Sequence, residues 1–263
     1  MNMKPLMCHD NIWRPSVALF RKGINVIDSK LLKAINWNTE LSADLTGKLL
    51  SIAQLKTQLT SSTMDGSSIA HQGASFIVEG TVTICLQTPN LKTVNNIVMG
   101  KGDWFGNYDS RNSLYTPFFI TEIDAVTLIH FSNFDLHRLA QDNLEIYKWF
   151  HSLSLESKAK WLQSQLMMSE NKLKRVVYLL LELAAHIPLI RGETPKIDLS
   201  QQQISQITGI ARQRVNEVIK QLEKEKLVEI KRSCIYLTNL TGLGRVLDKV
   251  DLSIRDPRLM ITH

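Results

Sequence analysis

Along its 263 residues the chain changes hydrophobic period several times. Over residues 1–60 the pattern is largely helical, with Leu41, Leu45, Leu49, Ile52 and Leu59 near one helix face. Thr60, Ser61, Ser62 and Thr63, followed by Asp65-Gly66, punctuate that stretch. From about 67 to 132 the period shortens to two: Val82, Ile84 and Leu86 alternate with Thr81, Thr83 and Cys85, as a half-buried strand requires. Gly73, Gly80, Gly100, Gly102 and Gly106 separate short apolar runs, and residues 125–131 make a last strand. Many short strands with regular turns predict a small antiparallel sandwich or barrel. From 133 to 186 the helical period returns. Leu155, Ala159, Leu162 and Leu166 form a heptad-like seam, while Ile146, Phe150 and Leu153 keep the step in another phase. That predicts one long helix whose stripe shifts. Leu173, Val176, Val177, Leu180, Leu181 and Ala184 form a further apolar face, and Pro188 with residues 191–195 marks a loop.

The densest local signal starts at Ser200. A hydroxyl residue three positions before Gln203 fits a capping box at a helix start. Ile204 and Ile207 give this short helix an inner face, and Gly209 suits the sharp turn into a second helix. The second helix is expected over 211–224, with Val215, Val218, Ile219 and Leu222 inward. Residues 228–230 and 235–237 then read as a two-stranded wing. Residues 198–238 together predict a winged helix-turn-helix.

A helix that enters the DNA major groove must expose donors and acceptors from its first turns. The outer side here offers Arg212, Gln213, Arg214, Asn216, Glu217 and Lys220. Arg can bridge O6 and N7 of guanine, Gln or Asn can bridge N6 and N7 of adenine, and Glu can accept from cytosine N4. Ser200 and Gln201 at the preceding helix start, and Lys231 and Arg232 on the wing, complete the expected DNA-binding set, the wing cations being suited to phosphates.

Composition narrows the class without choosing within it. Hydrophobic residues make up 44% and charged residues 21%, as in an ordinary globular protein of two modest domains. A net charge of +6 makes a polyanionic partner plausible and no more. Cys8, Cys85 and Cys234 are too few and too scattered for a disulfide framework or structural zinc, and the seven histidines lack metal-type spacing. Asp10, Arg14 and Pro15 interrupt any secretory signal core, and no run of 18 apolar residues exists, so a cytoplasmic, non-membrane protein is expected. No Gly-rich phosphate loop, nucleophile elbow or metal triad points to an enzyme.

The segment Leu199-Ser-Gln-Gln-Gln-Ile-Ser-Gln-Ile-Thr-Gly-Ile-Ala-Arg-Gln-Arg-Val-Asn-Glu-Val-Ile-Lys-Gln-Leu-Glu223 resembles the helix-turn-helix of the Crp/Fnr bacterial regulators. Upstream, His71-Gln-Gly73, Phe76-Ile-Val-Glu-Gly80 and Gly102-Asp-Trp-Phe-Gly106 are similar to turn motifs of that family's sensor barrel. The resemblance implies an α+β chain: a helical region over 1–66, an antiparallel β-roll over 67–132, a long dimerisation helix over 133–168, a winged helix over 169–240 and a tail over 241–263. It further implies a transcription regulator acting as a homodimer on a palindromic double-stranded site, with RNA polymerase as a further partner. Arg212, Gln213 and Glu217 take the three base-reading positions of the family, where Gln213 replaces the usual Glu and Glu217 the usual Arg.

Cyclic-nucleotide dependence is not expected. The phosphate-holding Glu of that branch is Asn107 here, and its Arg-Ser pair falls near Thr116-Pro117, although Arg111 is a displaced substitute to consider. Three unclustered cysteines do not make an iron–sulfur site, and no cofactor is expected. The alternatives are a ligand- or redox-gated switch of the same fold, in which Cys8-His9 is one redox-active candidate, and a winged helix serving as a protein-interaction module.

Overall fold

The computed structural model describes residues 27, 29–57, 59, 73–87, 93–107, 118–187, 192–231 and 234–261. Among the described residues, the expected 1–66 helical region contains two short helices, α1 (Ser29–Lys33) and α2 (Ala43–Ile52), and then a strand, β1 (Gln54–Lys56). Ser42 caps α2 by accepting from the Leu45 amide, and Leu45 and Leu49 are the buried side of α2. Leu55 lies in the strand, so the 41–59 stripe is not one helix face.

Two antiparallel sheets form the β-roll from β1, β2 (Gly73–Glu79), β3 (Val82–Gln87), β4 (Thr93–Met99), β5 (Trp104–Asn107), β6 (Phe118–Glu122) and β7 (Thr127–Ser132). Their orders are β1-β7-β2-β5 and β4-β3-β6. The roll therefore recruits β1, from the segment expected to be helical, through pairing of Gln54–Lys56 with His130–Leu128. Gly73 and Gly106 sit where strands nearly touch. Their φ values are +145° and +134°, and a Cβ on either would lie 1.9 Å from a backbone oxygen, so only glycine fits.

The helical region behind the roll is not continuous. α3 (Asn133–Asp142) ends at an extended Asn143, whose side chain accepts from the Glu145 amide as α4 (Glu145–Met168) begins. The expected 133–168 helix is thus two helices. α4 is anchored by Trp149, which meets Trp37, Trp104 and Phe131 at ring-centroid distances of 5.5, 5.1 and 5.9 Å. This aromatic cluster joins α4, the roll and the residues before α2 into one core.

The shifting stripe on α4 has a physical cause. The buried side runs Ile146, Trp149, Leu153, Lys160, Gln163 and Met167, so it turns polar midway. The apolar residues 155, 159, 162 and 166 face elsewhere: Leu155 is 52% exposed, Leu162 43% and Leu166 39%.

Beyond α4 come α5 (Lys172–Ala184), β8 (Lys196–Ile197), α6 (Gln201–Thr208), α7 (Arg212–Lys224), β9 (Glu229–Lys231), β10 (Cys234–Tyr236) and α8 (Leu240–Val246). A 3-10 turn at Pro257–Leu259 closes the described chain. One hydrophobic core spans α5 to α8. The wing has three strands, ordered β8-β10-β9, one more than expected.

The residues after α8 fold back across the junction between α4 and α5. Gln163 Nε2 donates to the Asp251 carbonyl at 2.8 Å, and the Arg255 amide donates to Gln163 Oε1 at 3.2 Å. Arg255 then grips Glu182 on α5 with two N–H groups, at 2.7 and 3.2 Å. On the roll side, Asn96 of β4 donates to the backbone carbonyls of Gln206 and Ile207 at the end of α6. Those contacts set how the helix-turn-helix sits against the roll.

Candidate nucleic-acid interface

The helix-turn-helix is built from local signals that cooperate. Ser200 accepts from the Gln203 amide at 3.2 Å while Gln203 Oε1 accepts from the Ser200 amide at 2.9 Å, which completes the capping box. α6 ends at Gly209 with φ +64°, a left-handed conformation suited to glycine. The Thr208 hydroxyl donates back to the Ile204 carbonyl at 2.6 Å, and the Arg175 guanidinium on α5 donates to the Thr208 carbonyl. The turn is thus tied to its own helix and to the one beneath it. Val215, Val218, Ile219 and Leu222 bury one side of α7. The remaining polar side points out by elimination.

On that outer side the predicted residues divide into two groups. Arg212, Gln213 and Lys220 are exposed and make no side-chain hydrogen bond or ion pair among the described residues. The others are engaged. Gln201 Nε2 at the start of α6 donates to Asn216 Oδ1 at 3.1 Å, bracing the two helices. Arg214 donates from one terminal nitrogen to both oxygens of Glu217, at 2.9 and 3.0 Å. Lys172, in the first turn of α5, reaches the same carboxylate at 3.0 Å. These hydrogen bonds from Lys172 and Arg214 hold the Glu217 carboxyl below the usual carboxylate range.

Lys231 ends β9 beside Glu229, at 2.9 Å, with its ammonium 5.3 Å from the centre of the Tyr236 ring. The hydrogen bond to Glu229 raises its pKa, so it is a fixed cation at neutral pH. Arg232 lies outside the described residues, as do Arg111, Thr116, Pro117 and the Cys8-His9 pair. Cys234 donates its thiol to Asp198 at 2.8 Å, and that bond pushes the thiol pKa up. A redox role for Cys234 would need the opposite shift.

Lys172 is the functional neighbour that sequence reading missed. It lies 45 residues from Glu217, and only the packing of α5 under α7 brings the two together. Among the described residues no group of three or more His, Cys, Asp or Glu side chains is placed to hold a metal ion. Among them, too, no helix is long and apolar enough to cross a membrane.

Comparison with known proteins agrees with this geometry. Residues 174–246 match the model of the Crp-like helix-turn-helix domain. A transcriptional regulator of the Crp/Fnr family from Eubacterium rectale superposes with a TM-score of 0.61 at 14% identity, covering 78% of this chain and 94% of that one. FixK2 from Bradyrhizobium japonicum gives 0.60 at 16% identity, with 74% and 96% covered. A Crp-family transcriptional regulator from Thermus thermophilus gives 0.54 at 17% identity, with 73% and 94% covered. No curated protein matches the chain by sequence.

Proposed function

We propose that this chain, a Crp-like helix-turn-helix domain carried on the Crp/Fnr regulator fold, is a sequence-specific transcription regulator that binds double-stranded DNA as a homodimer on a palindromic site. The observation that carries the reading is the outer face of α7, where Arg212, Gln213 and Lys220 stand exposed and without side-chain partners among the described residues. A surface with no internal use for its donors and acceptors is matched to base edges. Arg212 is assigned to guanine and Gln213 to adenine. Ser200, Gln201, Lys220, Lys231 and Arg232 are assigned to the backbone, where contacts fix register without reading sequence. Asn216, braced by Gln201, orients the two helices against each other.

The homodimer rests on the seam of Leu155, Ala159, Leu162 and Leu166. A row of large apolar side chains left exposed along one side of a 24-residue helix favours a second copy of the same helix. Two-fold symmetry in the protein then calls for a two-fold operator, with half-sites about one helical turn of DNA apart or a multiple of it. Cyclic-nucleotide independence rests on the residues at Asn107 and Thr116-Pro117. An encounter with RNA polymerase follows from the family resemblance alone, and a cytoplasmic setting from the interrupted signal core and the short apolar runs.

Selection of bound duplexes from a random library, with purified protein, fixed salt and no added ligand, tests the proposal. The expected result is a palindrome. Enrichment only after a small molecule is added favours the ligand-gated alternative, and no enrichment under either condition contradicts DNA reading.

A further inference from the structure

Glu217 occupies a position assigned by resemblance to base reading, yet both of its oxygens are already engaged. Lys172 Nζ reaches Oε2 at 3.0 Å, and one terminal nitrogen of Arg214 reaches Oε1 at 2.9 Å and Oε2 at 3.0 Å. Three of the roughly four lone-pair sites of a carboxylate are therefore in use. Arg214, by contrast, commits only that one nitrogen. Its other terminal nitrogen and Nε leave a free planar fork, the edge that matches two oxygens of a phosphate.

Placement on the helix agrees. At about 100° per residue, Gln213 and Lys220 lie near the middle of the outer face. Glu217 is about 40° to one side of Gln213, and Arg214 is about 100° away on that same side, at the rim. Two cations from different helices, gathered on one side of the outer face by a shared carboxylate, suit the sugar–phosphate backbone. Lys172 approaches from that side, from the first turn of α5. A cation there opposes the helix dipole, so the Glu217 carboxylate is what settles it. The three side chains carry two positive charges and one negative.

We propose that Lys172, Arg214 and Glu217 form a phosphate clamp, in which Glu217 positions the two cations and reads no base. This rests on the DNA-binding reading above. The clamp adds affinity for any sequence and leaves the operator position opposite residue 217 without a strong preference.

The test combines library selection with salt-dependent binding for the wild type, Glu217→Ala, Arg214→Ala and the double variant. Glu217→Ala is expected to keep the wild-type consensus. Each single variant weakens selected and scrambled duplexes by the same several-fold factor, and flattens the log–log salt dependence by up to about 0.9, the value for one phosphate. The double variant binds more weakly than Arg214→Ala but by less than the product of the two single losses, because both changes undo the Arg214 contact and Glu217→Ala also releases Lys172. A changed base preference at one position in Glu217→Ala, with the salt slope intact, makes Glu217 a reader and overturns the clamp. So does an unchanged slope in Arg214→Ala. A wild type that enriches no duplex removes the DNA reading itself, and the clamp with it.

Discussion

Replacing Lys160 with Met is expected to destabilise the protein by about 3–5 kcal/mol, the usual cost of breaking a buried ion pair from one side. Lys160 and Asp103 have side chains only 3% and 9% exposed, and their charged atoms are 2.5 Å apart. Lys160 also donates to the Val98 carbonyl at 3.2 Å, and the Gly100 amide donates to Asp103 at 2.8 Å. Burial alone would raise the Asp103 pKa, but the charge and hydrogen bond of Lys160 prevail and hold it below the ordinary value. With Met at 160 that carboxylate stays buried with one backbone donor and no countercharge. The double variant Asp103→Asn/Lys160→Met removes both charges and is expected to regain most of the loss. Urea unfolding measures both, and a single variant within 1 kcal/mol of wild type would show that water reaches the pair.

His186 adds a pH dependence to the same cluster. Burial lowers its pKa to about 4, against an opposing pull from Asp103, and its Nε2 lies 3.4 Å from that carboxylate. The folded protein therefore holds a neutral imidazole at pH 7. A group whose folded pKa is depressed is without cost above its unfolded value near 6.5, and stability falls as the pH drops from there toward 4. Protonated Asp103 adds its own loss below about pH 4, since its folded pKa is also depressed.

Placing charge on the α4 seam is expected to have the second large effect. Leu155→Asp with Leu162→Asp puts two like charges opposite their symmetry mates in a coiled-coil-like contact. The dimer is expected to dissociate at micromolar concentration in sedimentation. Affinity for a palindromic duplex should fall by roughly 10²–10⁴, the gain that linking two half-site contacts supplies. Both side chains are exposed in the single chain, so its helical circular dichroism should not change. A wild type that sediments as a monomer, or a variant that stays dimeric, contradicts this use of the seam.

What could be read from sequence followed from how local each signal is. The helix-turn-helix was legible because Ser200, Gln203 and Gly209 act on their own neighbours, and the inward period of Val215 to Leu222 needs no partner to be seen. The strands of the roll were legible as an alternation, but Thr83 on the other face of β3 is also buried, because α6 packs near that sheet. α4 misled for a specific reason. Its apolar residues 155–166 advertise a face that the single chain leaves open, while the polar Glu156, Lys160 and Gln163 meet Asn38, the roll and the tail. Their partners Asn38, Asp103 and Asp251 are 118, 57 and 88 residues away, beyond any periodicity. The two-residue β8 is too short to leave a pattern. In the candidate interface, residue types were readable but engagement was not: nothing in the spacing of Arg212 and Arg214 says that one has no partner among the described residues and the other is tied to Glu217.

The most direct measurement is the ratio of affinities for a selected palindrome and its scrambled counterpart, for wild type and Arg212→Ala at one salt concentration. If Arg212 reads guanine from the first turn of α7, the variant should lose on the order of 10- to 100-fold in that ratio, while scrambled-duplex affinity barely changes. An unchanged ratio, or an equal loss on both duplexes, would contradict base reading by α7.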